Sequence, residues 1–281
     1  LQELSPGGRE ASLAAGDLAA LGKLPASSQA PVALVYDYQA AWVCQTQPQG
    51  ATFDYVELVF RWYEALRRFG LDVDIVRPGA PLDGYHLIVA PSLPIVSDAA
   101  ASAFAAADGV VVFGPRTGSK TRNFSIPEGL PPAALREQLP LRVTEVSSLR
   151  PGITKGVSGA ISGVAERWVE HIESVAPPLS VFEDGRPAIV SHGGRIYVGF
   201  WPDLPTLASL MRHAVAEAGL PVLDLPEDIR LRRLGPLRFA FNYGPDPWTA
   251  PFGTQPVLGS NPVPPRSVTV WREAGAHAGK R

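Results

Sequence analysis

Apolar residues fall into two spacings along this chain, and the spacing changes with position. Short, mainly apolar runs occupy residues 32–36, 72–76, 86–90 and 109–114, with Gly, Pro or Asp at or near their ends. Runs of this length and content suit strands covered on both faces. Between them the period lengthens. Val56, Val59, Phe60, Tyr63 and Leu66 line one helical face, opened by Asp54 with Glu57 three residues on and closed by Gly70, so a helix is predicted over 54–69. Glu57 with Arg61 and Glu64 with Arg68 stand at i, i+4 on its outer side, where the simplest role is solvation of an exposed face. Ser97 opens an alanine-rich helix ending near Ala107. The order from residue 31 is thus β-α-β-β-α-β with short connections, which predicts an open, mainly parallel α/β sheet.

Later segments extend the pattern. Strands are expected at 168–172, 188–191 and 195–200, then a helix from Pro205 to Ala218 stopped by Gly219, with the α/β domain spanning 30–222. Beyond Asp224 the helical period disappears. Residues 229–234, 237–242 and 267–271 read as strands between proline-rich turns, a small all-β domain over 224–272, followed by a frayed tail over 273–281. At the other end, residues 1–29 form a connector: Leu13, Leu18 and Leu21 give a helix over 9–21 with a docking stripe and Gly22 as its stop, then a linker from Pro25. The chain opens on Leu1 without methionine and holds one methionine, Met211, so a longer product is expected.

Composition narrows the function. Gly (27) and Pro (29) are abundant, but 46% apolar and 19% charged residues describe a globular chain rather than a low-complexity one. A net charge of −2 lacks the basic footprint that nucleic acid or an anionic membrane attracts, and no apolar run reaches the ~18 residues of a membrane span. The single cysteine, Cys44, points to a reducing, cytoplasmic setting.

Candidate chemistry is sparse. Ligands of open α/β sheets bind beyond the carboxyl ends of the strands, which directs attention to Asp37 and to the loop 114–121. Asp37 suits a capping role at the strand-to-helix turn. Cys44 is the one possible thiol nucleophile, for an amidotransferase-like hydrolase, but the expected elbow at Gly114-Pro115-Arg116-Thr117-Gly118 holds neither Ser nor Cys. That loop also misses the phosphate-loop pattern, because Ser119 stands where glycine must precede Lys120, and an exposed basic loop is the expectation. His86, His171, His192, His213 and His277 show no metal-binding spacing. The six tryptophans could serve a sugar-binding module or act as core and interface anchors. No catalytic residue, cofactor or metal is assigned.

The stretch from Val32 through Tyr38 to Trp42, then Gln47-Pro48-Gln49-Gly50, Trp62-Tyr63-Glu64-Ala65-Leu66-Arg67, residues 70–76, 84–91, 113–120 and Phe239-Ala240-Phe241-Asn242-Tyr243, resembles the trimerisation domain and small C-terminal β domain of the glycoside hydrolase family 42 β-galactosidases. The resemblance implies a class I glutamine-amidotransferase-like fold, a flavodoxin-like three-layer α/β arrangement, without the amidotransferase nucleophile. It also implies association as a homotrimer, with β-galactoside hydrolysis carried by an N-terminal (β/α)₈ barrel. No eight-fold βα series precedes residue 31, and no pair of carboxylates suited to a retaining mechanism stands out, so the barrel is expected to be missing and the chain inactive alone. Tyr38, Trp42, Gln47, Arg116 and Lys120 are the expected interface residues, as aromatic or basic groups in loops.

Overall fold

The computed structural model describes residues 5–50, 52–253 and 255–273. They divide into two compact units: Gln29–Leu223, and the residues up to Ser28 grouped with those from Asp224 onward.

The larger unit is built on a mixed eleven-stranded sheet. Its parallel part joins β1 (Val32–Val35), β2 (Val73–Val76), β3 (Leu87–Ala90), β4 (Val110–Phe113) and β10 (Arg195–Val198) in the order β2-β1-β3-β4-β10. Val32 pairs with both Val73 and Leu87, and Leu87 with Val110. All side chains of β1, β3 and β4 are buried, as their unbroken apolar runs require. Helices cover both faces. On one side α2 (Tyr38–Thr46), α3 (Tyr55–Arg68) and α5 (Leu204–Glu217) bury Ala40, Leu58, Trp62 and Leu207 with Val32, Leu34 and Val89. On the other, α4 (Asp98–Ala106) buries Ala100 and Phe104 with Ala33, Ile88 and Val111.

Helix ends follow local chemistry. The Asp54 carboxylate accepts the Glu57 N–H (2.9 Å), Ser97 accepts that of Ala100 (3.2 Å) and Asp203 that of Thr206 (2.9 Å). Helix α5 therefore starts at Leu204, one residue before the expected Pro205. Helix α2 is absent from the sequence pattern, which leaves residues 38–46 as loop. Its nine residues carry no long apolar stripe, and the Asp37 carboxylate caps it by accepting the N–H groups of Gln39 (3.0 Å) and Ala40 (3.2 Å).

The sheet continues beyond β10 as an antiparallel extension: β5 (Leu141–Ser148), β6 (Thr154–Gly159), β7 (Gly163–Ser174), β8 (Pro178–Phe182), β9 (Pro187–His192) and β11 (Phe200–Pro202). Strands β5, β6 and β8 lie in stretches without clean alternation, and β7 is twelve residues long where five were expected. The path runs β11-β7-β6-β8-β9-β10, with β5 also on β7. Since β10 and β11 are separated only by Gly199, this path returns on itself. The Glu170 N–H reaches the Gly199 carbonyl (2.7 Å), so the antiparallel part curls until β7 lies back beside the β10–β11 junction.

In the smaller unit, β12 (Ile229–Leu234), β13 (Leu237–Asn242), β14 (Pro256–Leu258) and β15 (Ser267–Arg272) form an antiparallel sheet in the order β12-β13-β15-β14. Asn242 is buried and staples the following loop: its amide donates to the carbonyls of Asp246 (2.7 Å) and Val263 (3.2 Å), and its oxygen accepts the Gly244 N–H (2.9 Å). Helix α1 (Pro6–Leu21) is capped by Ser5, three residues earlier than expected. No side chain of α1 is buried. Leu13 and Leu18 stand exposed and Leu21 is half-buried, so the stripe read as a docking face is mostly bare among the described residues. The tail over 274–281, and the first four residues, lie outside the described residues.

Candidate assembly surface and the polar cluster behind it

Helix α2 sets Tyr38 and Trp42 one turn apart on its outward side, 66% and 58% exposed, while Ala40, Ala41, Val43 and Cys44 face the core. Two large aromatics are thus bared on one short helix. An edge-on contact ties Tyr38 to Tyr36 (ring centres 5.1 Å apart), and Tyr36 in turn packs on Tyr55 at the start of α3 (5.5 Å). Val56 and Phe60, at i and i+4 on α3, are also exposed.

The remaining residues named for the interface sit elsewhere. Arg116 is 1% exposed, which corrects the expectation of an exposed basic loop. The loop after β4 is tied down from inside: Thr117 Oγ1 donates to the Gly114 carbonyl (2.8 Å) and accepts the Leu93 N–H (3.2 Å). At Gly114 a Cβ would be driven into the Pro91 carbonyl oxygen, so the close approach of two chain segments demands glycine there. Lys120 is half-buried and bonds through its backbone to Pro94. Burial and, secondarily, Arg116 lower its ammonium pKa. Gln47 ends α2, and its carbonyl accepts Nη2 of Arg116 (3.1 Å). The structure thus pairs Tyr38 with Trp42 on the surface, and Gln47 with Arg116 beneath it.

Glu170 on β7 is the centre of that inner cluster. Its Oε1 accepts the Arg116 backbone N–H (2.7 Å) and Trp168 Nε1–H (3.1 Å), and its Oε2 accepts the Tyr197 hydroxyl from β10 (2.7 Å). Complete burial raises the Glu170 pKa against the pull of these donors and of the Arg116 charge. The sequence reading missed Glu170, although a signal was present: period-two spacing sets it on the same side of its strand as Trp168 and Ile172.

A second charged group joins α3 to β7. Arg167 donates to both Glu57 oxygens (2.6 and 2.8 Å) and to the Thr52 carbonyl (3.2 Å), while Arg61 bridges Glu57 (2.7 Å) and Glu166 (2.8 Å). The hydrogen bonds of Arg167 hold the Glu57 pKa below its usual range. These charges therefore dock the helix rather than merely solvate it, while Glu64 and Arg68 pair at i, i+4 along the same helix. A cleft of about 600 Å³ opens here, between α2, the start of α3 and the β5–β6 loop, with Cys44 and Asp54 on its wall.

Nothing in the cleft assembles a nucleophilic site. The Cys44 thiol is buried and burial pushes its pKa up, opposed by Arg116 and reinforced by Asp54. A thiol in this state is a poor nucleophile. No three His, Cys, Asp or Glu side chains gather in metal-binding geometry among the described residues. Trp62, Trp168, Trp201 and Trp271 are fully buried and Trp248 half-buried, so stacking on sugar by the tryptophans as a set is ruled out, Trp42 being the exposed one.

Residues 30–221 match the family model described as the beta-galactosidase trimerisation domain. A beta-galactosidase of Thermus thermophilus is 50% identical over 268 residues, covering 94% of this chain and 41% of the relative, and Beta-galactosidase BgaA of a Thermus species is 49% identical over the same shares. The crystal structure of a beta-galactosidase from the psychrophilic Marinomonas ef1 superposes with a TM-score of 0.92 at 33% identity, covering 96% of this chain and 43% of that one. The chain belongs to the beta-galactosidase trimerisation domain family. It spans about two fifths of the length of these relatives.

Proposed function

We propose that this chain joins the subunits of a family 42 β-galactosidase into a homotrimer, acting in the cytoplasm, with the hydrolysis of terminal β-galactosides carried by a (β/α)₈ barrel that is not among these residues. The α/β unit is read as a class I glutamine-amidotransferase-like fold that has lost its nucleophile and serves as an assembly body. The observation that carries the reading is the bared aromatic pair Tyr38 and Trp42, presented by α2 within the segment matched as a trimerisation domain. Aromatic side chains supply large contact area for little lost rotamer freedom, which suits them to interface anchoring. The occupant of the pair is a second copy of the chain. Gln47, at the end of α2, lies beneath this face with its carbonyl on Arg116. No residue here is assigned to bond cleavage, so the chain alone leaves a nitrophenyl galactoside intact.

Sedimentation velocity of the purified chain tests this. The expected result is a species of three times the 30.0 kDa monomer mass, shifted toward monomer by Tyr38→Ser with Trp42→Ser. A chain that stays monomeric across the accessible concentrations, or a double variant that associates like the parent, contradicts it.

A further inference from the structure

The C-terminus of α2, like that of α4 where Arg195 holds the Phe104 and Ala107 carbonyls, is finished by an arginine from far along the chain. A helix end leaves carbonyls without intrahelical partners and concentrates partial negative charge, normally answered by a glycine in the left-handed conformation or a basic side chain in the last turn. Helix α2 has neither: its last turn holds no basic residue, and Gln47 follows with φ −127°. The cation comes from 69 residues away. The Arg116 guanidinium donates through Nη2 to the Gln47 carbonyl (3.1 Å) and approaches Cys44 Sγ through Nη1 (3.6 Å). It lies against the rings of Phe53 (4.9 Å) and Trp168 (5.4 Å).

Arg116 is itself held. Its backbone takes φ 66°, a conformation uncommon for a residue with a Cβ, and its N–H is fixed by the buried Glu170 carboxylate. Glu170 is in turn fixed by Trp168 on its own strand and Tyr197 on β10. A continuous chain of directional bonds therefore runs from the sheet, through Glu170 and Arg116, to the end of the helix that bears Tyr38 and Trp42. If filling space were the whole task, an apolar side chain would do it without dehydrating a guanidinium and a carboxylate. What an apolar side chain lacks is the reach and direction to hold a carbonyl at a fixed point.

We propose that Arg116, anchored by Glu170, is a positioning residue for the assembly face, fixing the end of α2 and with it the pose in which Tyr38 and Trp42 meet a neighbouring copy. This rests on the assembly reading above and adds a buried determinant to it. Arg116 touches no partner subunit; it acts through α2.

The test compares the full chain with Arg116→Met, which keeps length and loses the donors, Arg116→Lys, which keeps the charge, and Glu170→Gln, which keeps the shape. Trimer dissociation is read by sedimentation, and the local consequence by hydrogen exchange of the α2 amides against those of α3 and α5. Arg116→Met is expected to speed exchange in α2 selectively and to raise the dissociation concentration by about tenfold or more, a change of about a hundredfold in the trimer dissociation constant. Arg116→Lys should restore part of both, and Glu170→Gln should fall between. Exchange that rises equally in α2, α3 and α5 marks a merely structural role and overturns the proposal, as does unchanged dissociation of Arg116→Met in a chain whose parent is trimeric. A parent that never associates overturns the assembly reading instead, a result distinguishable because it appears before any substitution is made.

Discussion

Along β1, β3 and β4 every side chain is buried, whereas along β5 and β6 buried and exposed positions mix without a fixed period. The two parts of one sheet are stabilised differently. The parallel part is held by apolar burial under helices on both faces. The antiparallel part buries apolar side chains too, among them Trp168, Phe182, Ile189 and Trp201, and adds directional polar contacts where it curls back: Glu170 with Arg116, Trp168 and Tyr197, and Arg167 with Glu57. Apolar burial is tolerant of small displacements, while a buried carboxylate with three donors accepts one arrangement. The more polar part is accordingly the one that fixes the helices at the sheet's carboxyl edge.

The sharpest way to break the parallel part is to fill the space it lacks. Gly114→Ala forces a Cβ into the Pro91 carbonyl where β4 leaves the sheet, and a backbone atom has no rotamer by which to yield. A loss of about 4 kcal/mol or more is expected, read as a lowered midpoint in urea unfolding. Leu34→Ala, in the fully buried centre of β1, should cost about 2–5 kcal/mol in the same measurement through lost transfer energy and a residual cavity.

The same contrast explains which features the sequence exposed. Unbroken apolar runs such as 32–36 and 109–114 have one stable solution, so β1 and β4 are evident from pattern, as are the capped helices opened by Asp54 and Ser97. Strands β5, β6 and β8 are not, because their residues are fixed by pairing partners distant in sequence: Arg142 faces Glu173, and Val157 faces both Gly163 and Phe182. Helix α2 escapes for a related reason, being held by Asp37 at one end and by Arg116 from far along the chain at the other. At the site, Tyr38 and Trp42 were legible as unusual residues, but Arg116 was read as exposed. A cation after a Gly-Pro turn gives no local sign that a carboxylate 54 residues later will draw its backbone inside.

Glu57 with Arg167 probes the polar seam at intermediate size. Glu57→Gln removes the charge from a two-pronged contact yet leaves an acceptor, and the carboxylate is 38% exposed, so solvent screening discounts the loss to about 1 kcal/mol. The pH dependence has a defined sign. The Glu57 pKa is lowered in the folded chain, so its contribution is complete above the carboxyl range of the unfolded chain and disappears as pH falls through the depressed folded value. In parallel acid titrations, the parent should lose more stability than Glu57→Gln below the unfolded range; equal losses would mean that the pair does not hold α3 to β7.

The smallest effect is expected where a charge pair lies in the same antiparallel part but away from the seam. Arg142 and Glu173 are cross-strand neighbours on β5 and β7 with an N–O distance of 2.6 Å, closely matching the Glu57–Arg167 contact in length. Both are 57% exposed, however, so water solvates the two charges nearly as well apart as together, and ordering two long side chains offsets much of what attraction remains. Arg142→Gln should therefore change unfolding stability by less than about 0.5 kcal/mol, and the change should shrink as salt is raised. A loss as large as that of Glu57→Gln would show that distance alone ranks these contacts, and that the curl toward β10, which buries one group and leaves the other in water, has no part in what holds the antiparallel strands in place.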